Sequence, residues 1–199
     1  MRRRTRLGVA LLLAVAVPLS TVACGTEPDE PAPPAQAPAA VQVGNTHNDA
    51  DVRYLQMMVA HHEQGMQLVR LARTRAQQEE IKIFAAAVEA TQGDEVTMMR
   101  SWLGTWSEPT TVDHDPGAHA AHGGLPATGA EQIAALEEAS GAVFDRQFLN
   151  LFVGHQHNAV EMSQREAQEG ANPETKDFAR RVQESRADQI AQMLALLNG

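Results

Sequence analysis

Asp51-Val-Arg-Tyr-Leu-Gln-Met-Met-Val-Ala-His61-His62 and Asp145-Arg-Gln-Phe-Leu-Asn-Leu-Phe-Val-Gly-His155-Gln156-His157 are two copies of one pattern. Position 155 minus position 61 is 94, and the same offset pairs Asp51 with Asp145, Tyr54 with Phe148, Leu55 with Leu149 and Val59 with Val153. Further on it pairs Phe84 with Phe178, Val88 with Val182, Asp94 with Asp188 and Met99 with Met193, without a gap. A supersecondary unit of this length cannot cover its own apolar face. Two copies therefore close on each other around a pseudo-two-fold axis, and His61 and His155 become candidates to meet.

Each copy reads as a helical hairpin. In the first, Val52, Leu55, Val59, Met66 and Val69 follow a three-four spacing over about 48 to 76, with His62 in the gap of the series. A second helix over about 79 to 106 presents Ile81, Phe84, Val88, Met99 and Leu103, and Pro109 lies beyond its end. The second copy gives a helix over about 142 to 169 and a break at Gly170. Asn172-Pro173 then supplies the cap and first residue of a helix carrying Phe178, Val182, Ile190, Met193 and Leu197. Strand signals are lacking, so the fold class is all-α, a four-helix bundle of two tandem hairpin repeats. At 1.5 Å per residue each helix is roughly 40 Å long. Between the copies, positions 108 to 128 form a glycine-rich loop with His114, His119 and His122. Thr128-Gly-Ala-Glu131 has the form of a capping box and starts a short helix ending at Ser140-Gly141.

The amino terminus sets the compartment. Arg2, Arg3, Arg4 and Arg6 precede an apolar run over 7 to 19 and small residues up to Ala23-Cys24, the layout of a secretory signal over 1 to 23. The run is shorter than the roughly 20 residues a membrane span needs. Thr21-Val22-Ala23-Cys24 resembles a bacterial lipobox, with Thr21 in place of the usual leucine. It makes Cys24 the expected site of acylation and of anchorage to the outer face of the cytoplasmic membrane; the alternative is a plain signal with an incidental cysteine. Positions 24 to 46 are rich in proline and alanine and read as a tether, and 47 to 199 as the bundle, with repeats at 49 to 107 and 129 to 199.

Removal of the signal takes four arginines and no acids, so the formal charge moves from −9 to −13. That excess of acid speaks against nucleic acid, which requires a cationic face. Cys24 is the only cysteine, so no disulfide forms within one chain, and any soft-metal ligand is methionine or histidine.

Met57 and His61 are four residues apart, as are Met58 and His62, a spacing that stacks side chains on one helix face. On the third long helix His155, Ala159 and Met162 form one stripe, matched in the first by His61, Gly65 and Leu68, while His157 lies four before Glu161. Small residues at Gly65 and Ala159 allow close helix approach beside a His61/His155 site. Imidazole suits several transition metals, but thioether selects soft ions, and the mixture favours copper, as Cu(I), over zinc. The opposing reading is packing: methionine is a common gap-filler, which is the expected role of Met98, Met99 and Met193. A hydrogen-bonded core pair would equally account for two buried histidines.

Met57-Met58-Val-Ala-His61-His62-Glu-Gln-Gly65 and Phe152-Val-Gly-His155-Gln-His-Asn-Ala159-Val-Glu-Met162, together with Met99-Arg-Ser-Trp102, resemble the bacterial secreted family catalogued as domain of unknown function 305. The resemblance spans roughly 49 to 197. It implies a ferritin-like four-helix bundle and periplasmic or cell-surface copper binding and tolerance, with Met57, Met58, His61, His62, His155 and Met162 as candidate ligands. The chain departs from the family pattern at Gln156, Leu68, Leu151 and Phe152, which makes His157 a further candidate in the second copy.

The expectation is thus a copper-binding lipoprotein of the cell envelope that buffers or carries the ion and is not an enzyme. A metal-free, lipid-anchored module that docks an envelope protein is the rival. A di-iron oxidase would need Glu-x-x-His motifs, and the sequence contains none.

Overall fold

Asn48 begins the bundle. Its side-chain oxygen accepts from the amides of Ala50 and Asp51, while Asp51 accepts from the amide of Asn48, a reciprocal capping box that satisfies donors at the helix start. In the computed structural model, which describes residues 41–111 and 128–198, this cap opens α1 (Asp49–Arg75). There follow α2 (Glu79–Thr105), α3 (Ala130–Glu138), α4 (Gly141–Glu169) and α5 (Pro173–Asn198). The signal, Cys24 and the loop histidines His114, His119 and His122 lie outside the described residues. Among the described residues no helix is long and apolar enough to cross a membrane.

The hairpins α1–α2 and α4–α5 meet through α1 and α4, and α3 packs on α4. The aspartates at equivalent positions tie each hairpin to the turn of the other. Asp51 accepts from the amides of Ala171 (3.1 Å) and Asn172 (3.0 Å) in the α4–α5 turn. Asp145 accepts from those of Gln77 (2.8 Å) and Gln78 (2.9 Å) in the α1–α2 turn. Both side chains are buried, and each satisfies two backbone N–H groups of the opposite turn that would otherwise be left without a partner.

Two expected boundaries shift. The capping box at Thr128 is not formed: α3 starts one residue later, Gly129 being its cap, with its amide donating to Gln132 Oε1 at 3.0 Å. The Thr128 hydroxyl instead lies 3.2 Å from His155 Nδ1. Residues 41–46, assigned to the tether by composition, lie on the bundle. Trp102 Nε1 donates to the Val41 carbonyl (3.0 Å), Trp106 Nε1 donates to that of Gly44 (2.8 Å), and His47 stacks on Trp106. Each indole N–H finds an acceptor in that strand of chain, which is why it stays on the surface of the bundle.

The core has two apolar layers. One contains Met57, Met58, Met99, Met162, Trp102 and Trp106 with Tyr54 and Phe178. The other is built around Phe84, Phe144, Phe148 and Phe152 with Leu68, Ile190 and Met193. Along every long helix a polar residue separates them: His61 and His62 on α1, Gln92 and Glu95 on α2, His155 and Gln156 on α4, Arg186 on α5. All but Glu95 fall in the buried class. A polar layer thus crosses the middle of the bundle.

Candidate metal centre

His61 and His155 reach the polar layer because α1 and α4 pack together there, with Gly65 beside His155. Their rings stack with centroids 3.7 Å apart and planes 15° apart. His61 Nε2–H donates to the backbone carbonyl of His155 at 3.0 Å, which fixes the tautomer and leaves His61 Nδ1 as a lone pair. His155 has the Thr128 hydroxyl at Nδ1 and nothing at Nε2. Both rings are neutral. Burial, and then the neighbouring ring of His155, hold His61 well below the usual histidine range; burial, with the charge of Arg186 and the proximity of His62, pushes His155 down to about 3.

The stack limits what the pair can do as it stands. A ring nitrogen's lone pair lies in the ring plane, and these planes are nearly parallel, so one ion cannot lie in line with both lone pairs until a ring turns. Among the described residues no group of three histidine, cysteine or acidic side chains is spaced to hold a metal. What the layer does hold, among the described residues, is unpartnered polar atoms: His61 Nδ1, His155 Nε2 and both ends of the Gln92 carboxamide, with His62 Nδ1, Gln156 Oε1 and Arg186 Nε on the side of the charged triad and its neighbours. A buried donor or acceptor without a partner costs about 1–3 kcal/mol, so a cluster of them marks a place prepared for something else.

His62 points elsewhere. Its Nε2–H donates to Glu95 at 2.6 Å, and Arg186 donates to the same carboxylate while lying 3.1 Å from the ring nitrogen. Burial lowers the His62 pKa against the pull of Glu95. Burial also raises Glu95, but its hydrogen bond from His62 and the charge of Arg186 outweigh that and keep it ionised. The pseudo-two-fold image of this triad is neutral: His62, Glu95 and Arg186 correspond to Gln156, Gln189 and Gln92, and Gln156 donates to Gln189. Among the remaining candidates, Met57, Met58 and Met162 lie together in the adjoining apolar layer. His157 is exposed on α4, away from the buried ring of His155. A groove of about 530 Å³ between α3 and α4, lined by Leu136, Asn150, Gly154 and Asn158, has His155 in its wall.

Glu95, Gln92 and Arg186 escaped the sequence reading, although a signal for two of them exists. Arg186 interrupts the series Phe178, Val182, Ile190, Met193 at core spacing, and Gln92 does the same between Val88 and Val96. Another buried acid, Glu166, sits near the α4–α5 turn. Burial and the carboxylate of Asp51 push it up to about 9.

Residues 51–197 match the family described as a domain of unknown function, DUF305. The chain belongs to that family. Its fold is shared with a DUF305 protein from Streptomyces coelicolor, at 26% identity and a TM-score of 0.69, covering 75% of this chain and 92% of that one. A DUF305 fragment from Deinococcus radiodurans matches at 24% identity and a TM-score of 0.67, over 76% and 97%. The Cu(I)-bound form of CopM matches at 23% identity and a TM-score of 0.63, over 74% and 95%; CopM is also known in a Cu(II)-bound form. At these last identities the likeness is one of fold. No protein of curated function matches the sequence.

Proposed function

We propose that this DUF305 chain is an extracytoplasmic copper-binding lipoprotein, held at the membrane through Cys24, that buffers or carries the ion and does no chemistry on it. The observation that carries the reading is the buried His61/His155 pair, each ring neutral and each with one nitrogen unpartnered, beside a layer containing Met57, Met58 and Met162. Neutral imidazole and thioether are donors that soft and borderline ions take, and copper is the ion both accept. The copper-bound forms of CopM on the same fold support the choice of metal. His61 and His155 would hold the ion once one ring turns out of the stack, with sulfur from the adjoining layer. His62, engaged by Glu95 and Arg186, supports the layer and stays outside the ligand set.

The test uses the chain from residue 24, carrying Cys24→Ser so that no thiol competes. Anaerobic Cu(I) is titrated against a chromophoric chelator, with Cu(II) and Zn(II) in separate runs. Tight Cu(I) uptake that weakens by about tenfold or more in His61→Ala/His155→Ala, with helicity retained, is expected. Uptake unchanged by the double substitution would refute the assigned site. No uptake at all would return the pair to a packing role in a metal-free module that docks an envelope protein.

A further inference from the structure

Gly65 leaves a hollow in the polar layer. A Cβ built there would stand 2.7 Å from His155 Nε2 and 2.7 Å from Gln92 Oε1, closer than a carbon can approach either. Among the described residues both atoms lack a hydrogen-bond partner, as does the other end of the same carboxamide, and Gln92 is fully buried. A side chain with two polar ends is held inside the protein with neither end satisfied, facing an unpartnered imidazole nitrogen across a space that the sequence keeps free of even a methyl group.

From this we infer that Gln92 is a ligand of the copper site, giving its amide oxygen opposite His155 Nε2 at the Gly65 hollow, and that it sets which oxidation state the site prefers. The inference rests on the copper reading above. An amide oxygen is a harder donor than thioether or imidazole. It stabilises Cu(II) more than Cu(I), so Gln92 lets a site assembled from histidine and methionine retain the ion in both states.

The hollow is one-sided. The pseudo-two-fold image of Gly65 is Ala159, whose methyl is already fully buried, and the image of Gln92 is Arg186, a cation bound to Glu95. By the pseudo-symmetry, that side carries a methyl group and a guanidinium already engaged by Glu95, which has no lone pair to offer a metal ion. The two copies therefore build one site of this kind, and it belongs to the Gly65/Gln92 side. Glu95, which also accepts from His62, serves it by offsetting the charge of Arg186.

The experiment compares the Cys24→Ser chain with Gln92→Leu and Gln92→Met, both close in volume and free of a ligating oxygen, in Cu(II) and anaerobic Cu(I) competition titrations. Paramagnetic resonance of the Cu(II) form is recorded alongside. Expected is a loss of Cu(II) affinity of about tenfold or more in Gln92→Leu with a changed Cu(II) spectrum, and Cu(I) affinity unchanged. Gln92→Met should shift preference further toward Cu(I). Equal loss for both ions would make Gln92 a packing residue and overturn the inference, as would no change for either. Those outcomes leave the copper reading standing, because the parent chain still binds; absence of binding in the parent overturns both.

Discussion

At single positions, space and charge in the polar layer make opposite demands on similar residues. Gly93→Ala and Gly154→Ala place a methyl where nothing lies within 4 Å, and each should raise stability by about 0.5–1 kcal/mol, since glycine in a helix interior loses more chain entropy than alanine. Gly65→Ala receives the same gain but drives a carbon against His155 and Gln92, and overpacking costs about 1–3 kcal/mol. Urea unfolding should place Gly65→Ala below the parent chain and the other two above it; a stabilised Gly65→Ala would mean the hollow is wide enough for a methyl. Glu166 adds a pH dependence. In the unfolded chain a glutamate releases its proton near 4.5, whereas Glu166 keeps its own to about 9. Between those values the folded state binds more protons, so stability falls as pH rises through that window and is level on either side. Glu166→Gln removes the slope. Its stabilisation should be near zero at about pH 4 and grow steadily to about pH 9, and a variant that gains nothing across that range would show the acid to be ionised in the native protein.

At the scale of elements, the four long helices were legible because their apolar positions recur at helical spacing, and the ends at Asn48, Gly170 and Asn172-Pro173 carry caps that chemistry dictates. The meeting of His61 and His155 was legible from the offset of the copies and the small residues beside them, whereas the stacked orientation of their rings was not. The triad of His62, Glu95 and Arg186 was not, because it joins three helices and periodicity speaks only within one. Thr128 was misread for a related reason: a hydroxyl before a helix is a cap by local rules, and only the fold brings His155 near enough to engage it. The triad also sets up a prediction. Glu95→Gln leaves Arg186 buried without its carboxylate and should cost about 3–5 kcal/mol. The double change Glu95→Gln/Arg186→Gln removes both charges and leaves amides at the two positions, as the pseudo-two-fold equivalents Gln189 and Gln92 already do. It should cost less than the sum of the single changes, measured in a double-mutant cycle by urea unfolding; simple additivity would show that the ions do not interact energetically.

Across the whole molecule, neither hairpin is complete. The turn at Gln77 and Gln78 depends on Asp145, the turn at Ala171 and Asn172 depends on Asp51, and α1 and α4 cover each other's apolar faces. Separate chains spanning 41–111 and 128–198 should therefore show little cooperative structure alone. The internal symmetry gives each an escape, since a hairpin can pair with its own copy and supply both aspartates. Charge in the polar layer opposes that. Two first hairpins would bring two Glu95 side chains and no Arg186, and two second hairpins would bring two Arg186 and no Glu95, whereas the mixed pair joins one of each. Glu95 is only partly buried and keeps His62 of its own hairpin, so the penalty falls mainly on the second hairpin, where a buried Arg186 without its carboxylate costs about 3–5 kcal/mol, enough to decide between partners. Equimolar mixing should restore the helical signal and give a one-to-one complex by sedimentation, with either fragment alone remaining largely unfolded. Introducing Glu95→Gln in the first fragment and Arg186→Gln in the second should relax the preference and let self-paired species form. If the parent fragments self-pair as readily as they cross-pair, the asymmetry of the layer plays no part in holding the two copies together.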